Sequence, residues 1–451
     1  MKRQYCLVVF LLVSLCGWAQ NDSLQNKINI GMNLLTHGET CGGGLPRAKD
    51  KVVDDNYNFL LGRLRLSVGY ERKGLEAKAV IQNSAVWGSK GNTTLNLYEG
   101  WAKMTSKQGL FVQLGRVALS YDDERIIGPN DFAMASRSHD ILRAGYEGKG
   151  HKAHAILAFN QNASNLYVND YYVDGGQSYK NMQTVWYHYD FNKIPLGVSL
   201  LFINVGLQAG EEPVGPKSGT AYNDYKNNPA RTVYQQMYGC YVKYNPRPFT
   251  VEGSYYRQRG KEIVQSTHPG KIDAWMLSVK ATVRPCDLYG IETGYDFLSG
   301  DDYVPVIYGG MFGMVRHEVN KGFNPLYGSR TKFYGIMDYF YKDAYINDFT
   351  PGLQNAFLGG YVKPTVKLKC RAIYHYMATA TKLDGLDKTL GHAIDLQGSY
   401  TFSKDISLTA GYTYMIGTET MDRLKQGEGS KNAHWGWFSL VISPSLFTAK
   451  F

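Results

Sequence analysis

Along residues 394–402, Ile394, Leu396, Gly398, Tyr400 and Phe402 alternate with Asp395, Gln397, Ser399 and Thr401. The next stretch, 406–416, repeats the pattern: Ile406, Leu408, Ala410, Tyr412, Tyr414 and Ile416 stand against Ser407, Thr409, Gly411 and Thr413. Residues 366–376 set Val366, Leu368, Cys370, Ala372, Tyr374 and Tyr376 against Lys367, Lys369, Arg371 and His375. Successive side chains of a strand point to opposite faces, so this period of two predicts β-strands with one apolar and one polar face. Read through the chain, it predicts about eighteen strands of roughly ten residues, the length a tilted strand needs to cross a bilayer.

The connections fall into two classes. Tight turns rich in Gly, Pro, Asn, Asp or Lys are predicted at 72–74, 106–109, 147–150, 192–195, 245–248, 284–287, 363–364 and 403–405. Long polar segments lie between them, at 36–57, 84–93, 119–138, 161–182, 207–231, 259–270, 299–352, 379–389 and 418–433. Short and long connections alternate through the whole chain. A transmembrane antiparallel β-barrel has that arrangement, with short periplasmic turns, long extracellular loops and an even strand count. Closure into a barrel also pairs every backbone N–H and C=O that would otherwise face lipid. The predicted fold class is therefore all-β, a membrane barrel of about 18 strands spanning 20–451, with outer-membrane lipid and the outer-membrane assembly machinery as partners.

Composition sharpens this picture. The 451 residues are 44% hydrophobic and 14% aromatic, with 35 Tyr and 49 Gly, yet no apolar run past residue 20 is long enough for a membrane helix. Residues 1–19 read as a signal peptide: a basic "MKR", the apolar "YCLVVFLLVSLC" and a small-residue cleavage site in "GWAQ". Its removal takes Lys2 and Arg3 from a formal net charge of +10. Cys41, Cys240, Cys286 and Cys370 are widely spaced singles, which implies neither a disulfide framework nor a zinc site.

The remaining charge has a predicted address. In "GRLRLSVGY", Leu64, Leu66, Val68 and Tyr70 take the lipid face, which turns Arg63, Arg65 and Ser67 inward. A charge on the lipid face at mid-membrane would cost about 2–4 kcal/mol. The same parity turns Lys78, Lys103, Arg143, Lys243, Lys280, Arg284, Lys367, Lys369 and Arg371 inward, with the acids Glu76, Glu99, Glu252, Glu292, Asp296 and Asp395. Glu76 is expected to pair with Arg63 or Arg65. Bases outnumber acids, and rings of Arg and Lys favour anions in a pore. The planar guanidinium fork suits a carboxylate.

Two loops carry further candidate chemistry. Asp122, Asp123, Glu124 and Arg125, with Asp131, Arg137 and Asp140, predict a salt-bridged network that folds over or into the barrel mouth. The acid spacing fits no EF-hand calcium loop, and no metal or cofactor is expected. The longest loop, 299–352, is rich in Gly and aromatic residues and is expected to pack on the inner wall and narrow the channel. There is no G-x-S-x-G, H-E-x-x-H or Walker motif and no nucleic-acid motif, so neither an enzyme nor a nucleic-acid binder is expected.

Three stretches resemble the outer-membrane alginate export family: "LGRVALSYDDERIIGPNDF" with "RSHDILRAGYEG" (114–148), "FNPLYGSRTKFYGIMDYF" (323–340) and "LGHAIDLQGSYTFSKDISLTAGYTYM" (390–415). Phe132, Thr331 and Ile141 stand where that family has Trp, His and Gly. The resemblance implies an eighteen-stranded barrel with an arginine-rich lumen that passes an acidic exopolysaccharide. Three functions remain open to the residues themselves. They are a channel for an anionic oligo- or polysaccharide, a general or small-anion diffusion porin, and a surface binding protein built on a barrel.

Overall fold

The computed structural model describes residues 26–42, 56–89, 93–161, 179–209, 231–261, 270–301, 306–308, 311–313, 319–337, 339–340, 350–425 and 432–451. The predicted leader lies outside them. Eighteen strands form the wall. The first nine are β1 (Lys27–Gly42), β2 (Asn56–Arg72), β3 (Leu75–Val86), β4 (Thr93–Thr105), β5 (Leu110–Val117), β6 (His139–Gly148), β7 (His151–Phe159), β8 (Asn181–Asp190) and β9 (Leu196–Ala209). The next are β10 (Arg231–Tyr244), β11 (Phe249–Lys261), β12 (Lys271–Val283), β13 (Tyr289–Leu298), β14 (Leu353–Val362), β15 (Leu368–Ala378), β16 (Thr389–Ser403) and β17 (Ile406–Gly417). The last, β18, runs over Asn432–Ile442 and continues as Ser445–Lys450.

Each strand pairs antiparallel with the next, and β1 pairs with both β2 and β18, so the sheet closes. At the seam Asn26 and Phe451 exchange backbone hydrogen bonds of 2.8 and 3.0 Å. A closed antiparallel barrel of eighteen strands is the observed fold. Strand β1 is longer than the pattern suggests. Residues 36–42 read as loop, yet they belong to the wall because residues 434–440 of β18 supply their hydrogen-bond partners. The loop after β17 holds a short α-helix, Glu419–Lys425, which the period-of-two reading does not register.

The outer face carries the predicted apolar rows. Leu66, Val68, Ile81, Leu114, Leu157, Leu200, Leu358 and Leu396 are all exposed, as lipid-facing side chains of an isolated barrel must be. The inner face departs from expectation. Towards the long-loop end it is apolar as well: Ile156, Met182, Ile203, Met237, Met276, Met377 and Met415 are buried. They pack with Leu119, Ile126 and Ile127 from the β5–β6 loop and with Phe323, Tyr327 and Tyr334 from the β13–β14 loop. Part of the interior is thus a dry core, where each fully buried aliphatic side chain contributes about 1.5–3 kcal/mol.

Candidate functional site

Two loops from opposite walls meet inside the barrel, since β5–β6 and β13–β14 lie eight strands apart in a ring of eighteen. Ile127 and Tyr327 form a parallel β-bridge. Tyr327 N donates to Ile126 O at 3.0 Å, Gly128 N to Tyr327 O at 2.9 Å, and Ser329 N to Glu124 O at 2.9 Å. Glu124 Oε2 also accepts from Ser329 Oγ at 2.9 Å and from Lys332 Nζ at 2.5 Å. Burial alone would raise the Glu124 pKa, but the hydrogen bonds from Lys332, Ser120 and Ser329 outweigh it and hold the carboxyl below its ordinary value. Burial pushes the neighbouring Asp122 carboxyl up, against hydrogen bonds from Ser199 and Trp186.

Arg125 anchors this clasp to the wall. Its guanidinium contacts Asp123 Oδ2 at 3.2 Å, Asp296 Oδ1 at 3.1 Å and the Tyr334 hydroxyl at 3.1 Å, and it stacks on the Phe333 ring at 4.1 Å. Burial works against its charge, yet Tyr334, Asp296 and Asp123 together hold its pKa above the usual value. Tyr334 itself is pushed up to about 12 by burial. From Asp296 a chain of contacts follows the wall. Asp296 accepts from Ser278 Oγ and Asn355 Nδ2, Asn355 meets His375, and His375 Nε2 lies 3.3 Å from Asp395. Asp395 in turn accepts from Thr413 Oγ1 and from the Ile336 backbone N–H.

The far end of the β5–β6 loop is tied to the seam. Arg63 Nη1 donates to the carbonyls of Asp131 and Ala133 and to Ser136 Oγ, at 2.9, 3.1 and 2.9 Å. Phe132 packs edge-on against His37 and Trp437. Of six non-glycine residues with left-handed backbone among the described residues, five lie in these two loops: Asp122, Glu124, Asn130, Leu326 and Tyr334. Such conformations cost about 1–3 kcal/mol each and persist where the surroundings fix them, most often at functional sites.

Below the clasp lies a cavity of about 850 Å³ lined by Arg65, Tyr98, Asp131, Lys280, Arg371 and Glu252, among others. A second cavity of about 590 Å³, lined by Lys27, Lys78 and Ser443, leads towards the short-turn end. Arg65, Tyr98 and Glu99 line both, and so stand where the two meet. Arg65 Nη1 binds Asp131 Oδ1 at 2.7 Å, its Nε donates to Gln82, and the guanidinium lies 3.7 Å over the Tyr98 ring. Asp131 is also 3.4 Å from Arg63, so one carboxylate there answers two guanidiniums. The same ratio recurs on the facing wall, where Glu292 takes Lys280 at 2.9 Å and Arg371 at 2.7 Å.

The other predicted residues divide as follows. Lys78 pairs with Glu99 at 2.6 Å, Lys243 with Glu252 at 3.2 Å and Lys103 with Glu147 at 3.9 Å. Arg143 donates to the Tyr121 hydroxyl, and Lys369 lies 4.6 Å over the Tyr361 ring. Three expectations are corrected. Glu76 does not meet Arg63 or Arg65; it stands at the short-turn rim opposite Glu71 and Lys103, because the register gives Arg65 to Gln82 and Arg63 to Ser84. Lys367 sits in the turn before β15, near the Phe402 carbonyl, and not in the lumen wall. Asp140 is outside the loop network: it points outward from β6 and pairs with Arg116 at 2.7 Å. Sequence reading did not single out Tyr98, Gln82 or Asn355. Gln82 and Asn355 had inward parity alone, which uncharged residues share with many others, while Tyr98 has the parity opposite to Glu99 and turns inward only because β4 shifts register between Leu97 and Glu99.

No protein-family model matches the chain, and no curated protein matches it in sequence. Solved structures do match. Pseudomonas aeruginosa OccK5 (OpdH) superposes with a TM-score of 0.57 at 11% identity, over 93% of this chain and 99% of that one. OccK2 (OpdF) of the same organism, in complex with glucuronate, gives 0.58 at 11% identity, over 93% and 98%. Acinetobacter baumannii OccAB1 gives 0.58 at 12% identity, over 94% and 97%. The chain shares the fold of these Occ/Opd structures. Their outer-membrane barrel superposes on it from β1 to β18. The likeness to the alginate export family finds no support among these comparisons.

Proposed function

We propose that the protein is an outer-membrane diffusion channel for small carboxylate-bearing solutes, of the size of a sugar acid or short acidic saccharide. One observation carries this reading. A single cavity is lined on facing walls by Arg65 with Asp131 and by Lys280 with Arg371; with Arg63 on Asp131 and Glu292 under Lys280 and Arg371, each cluster holds two cations to one carboxylate. Within each cluster the cations outnumber the carboxylate by one, and the screening length of about 8 Å at physiological salt lets a passing anion feel both. Paired charges release a solute more readily than a bare cation would, as conduction requires. The two loops joined at Ile127 and Tyr327 favour a compact passenger over a continuous polysaccharide strand. That OccK2 has been solved with glucuronate is in keeping with such a passenger.

The test is a planar-bilayer measurement of reversal potential in a salt gradient, with and without glucuronate. Anion preference together with reversible block by glucuronate is the expected result. Equal permeability to both ions would overturn the reading, and absence of conductance would favour a surface binding protein.

A further inference from the structure

The outer face of the barrel carries a charge cluster that the channel reading does not use. At the long-loop ends of β11 and β12, Arg257, Arg259 and Lys261 alternate with inward residues, and so do Lys271 and Asp273 on the facing strand. Arg259 stands opposite Asp273 and Lys261 opposite Lys271, so all five side chains share one outward patch. Among the described residues it holds four cations and one acid. Asp273 Oδ1 fixes two of the cations, Arg257 at 2.5 Å and Arg259 at 3.7 Å. Lys261 and Lys271 make no ion pair among the described residues.

The height of this patch decides what it meets. Directly below it, on the same face, Tyr255, Trp275 and Phe297 form a row of rings with centroids 6.3 and 4.5 Å apart. Aromatic girdles mark the boundary between hydrocarbon and headgroups on a membrane barrel. Below the row the face is apolar, with Val251, Leu277, Val279 and Ile291 exposed. Arg257 is level with the row, opposite Trp275, while Arg259, Lys261 and Lys271 therefore sit one step outside the hydrocarbon, at the level of lipid headgroups on the extracellular side. A second outward ion pair near a long loop, Arg116 with Asp140, has no such surplus among the described residues.

We infer that this patch on β11–β12 holds the phosphate of a phosphorylated outer-leaflet glycolipid. Charge complementarity and position carry the assignment. Two guanidinium forks held by one carboxylate present donors suited to phosphate oxygens, and two flanking ammonium groups add attraction that a membrane surface sums over several residues. The acyl chains of the same lipid would lie along the apolar rows beneath the girdle.

The test uses the full-length barrel in phosphatidylcholine nanodiscs doped with bis-phosphorylated lipid A, with lipid A retained per barrel read by mass spectrometry. The R259Q/K261Q/K271Q variant is expected to retain about tenfold less than the wild type, while R116Q retains as much. Equal retention by the triple variant, or equal retention of lipid A stripped of its phosphates, would overturn the assignment. So would complete displacement by millimolar inorganic phosphate, which would identify a site for the free anion. Heat-modifiable gel mobility reports whether each variant is folded. Should the triple variant fail that check, R259Q alone, on a side chain more than half exposed, reads the same loss in part, and undiminished retention by it overturns the assignment equally.

Discussion

Arg125 is the residue on which the interior depends most. It is 6% exposed and faces two acids, of which Asp296 is 2% exposed. Removing one partner of a buried ion pair costs about 3–5 kcal/mol, far more than a surface pair, because the other charge is left without compensation. R125Q should therefore lower the thermal unfolding midpoint in detergent and open the β5–β6 loop to protease, whereas K152Q, in the exposed Lys152–Asp190 pair, should do neither. Glu124 adds a pH dependence. Its carboxyl is depressed in the folded state, so its contribution is present above the ordinary value of 4.5 and is lost as pH falls below it through the folded value. Protease sensitivity of the loop should rise on acidification through that range, and E124Q, which lacks the titrating group, should remove the step. Asp122 acts with the opposite sign, being held up by burial, so the E124Q difference isolates the Glu124 part.

Among elements, the two loops matter more than any strand. Replacing 323–334 by a Gly–Ser linker of equal length removes Phe323, Tyr327, Ser329 and Tyr334 from the interior. Single-channel conductance should then rise about twofold, since the narrowing comes from packed loops and not from the ring of strands. An unchanged conductance would show that the ions pass elsewhere. Element positions were legible in the sequence where alternation met a clear turn signal, as in β16 and β17 around Ser403. They were not legible where partners come from afar. Residues 36–42 are wall only because β18 lies alongside, and Arg125 finds Asp296 across 171 positions of chain. The dry core did leave a trace in "LLFINV" (200–205), where both parities are apolar. An inner face that met only water would not need Ile203 and Val205.

For the whole molecule, net charge matters less than its placement. Most lumenal bases are paired, and the Arg63–Arg65–Asp131 and Lys280–Arg371–Glu292 groups each hold two cations on one carboxylate. Changing Lys280 and Arg371 together to Ser turns the second group from one net positive charge to one net negative. The reversal potential should move towards cation preference, while K367S, at the rim, should leave it in place. Parity alone was enough to turn Arg65, Lys78, Lys280 and Arg371 inward on paper. Which carboxylate would answer each of them depends on register, and a slip of one residue flips every side chain.

The mutual hydrogen bonds of Asn26 and Phe451 have a consequence for connectivity. Two points that touch can be joined by a few glycines, and the circle can then be cut at the Lys73–Gly74 turn without removing a single ladder bond. Such a circular permutant should regain the same cylinder, recognisable by its heat-shifted mobility, with β3 as its first strand and β2 as its last. Which two staves meet last would then be set by where the gene is opened.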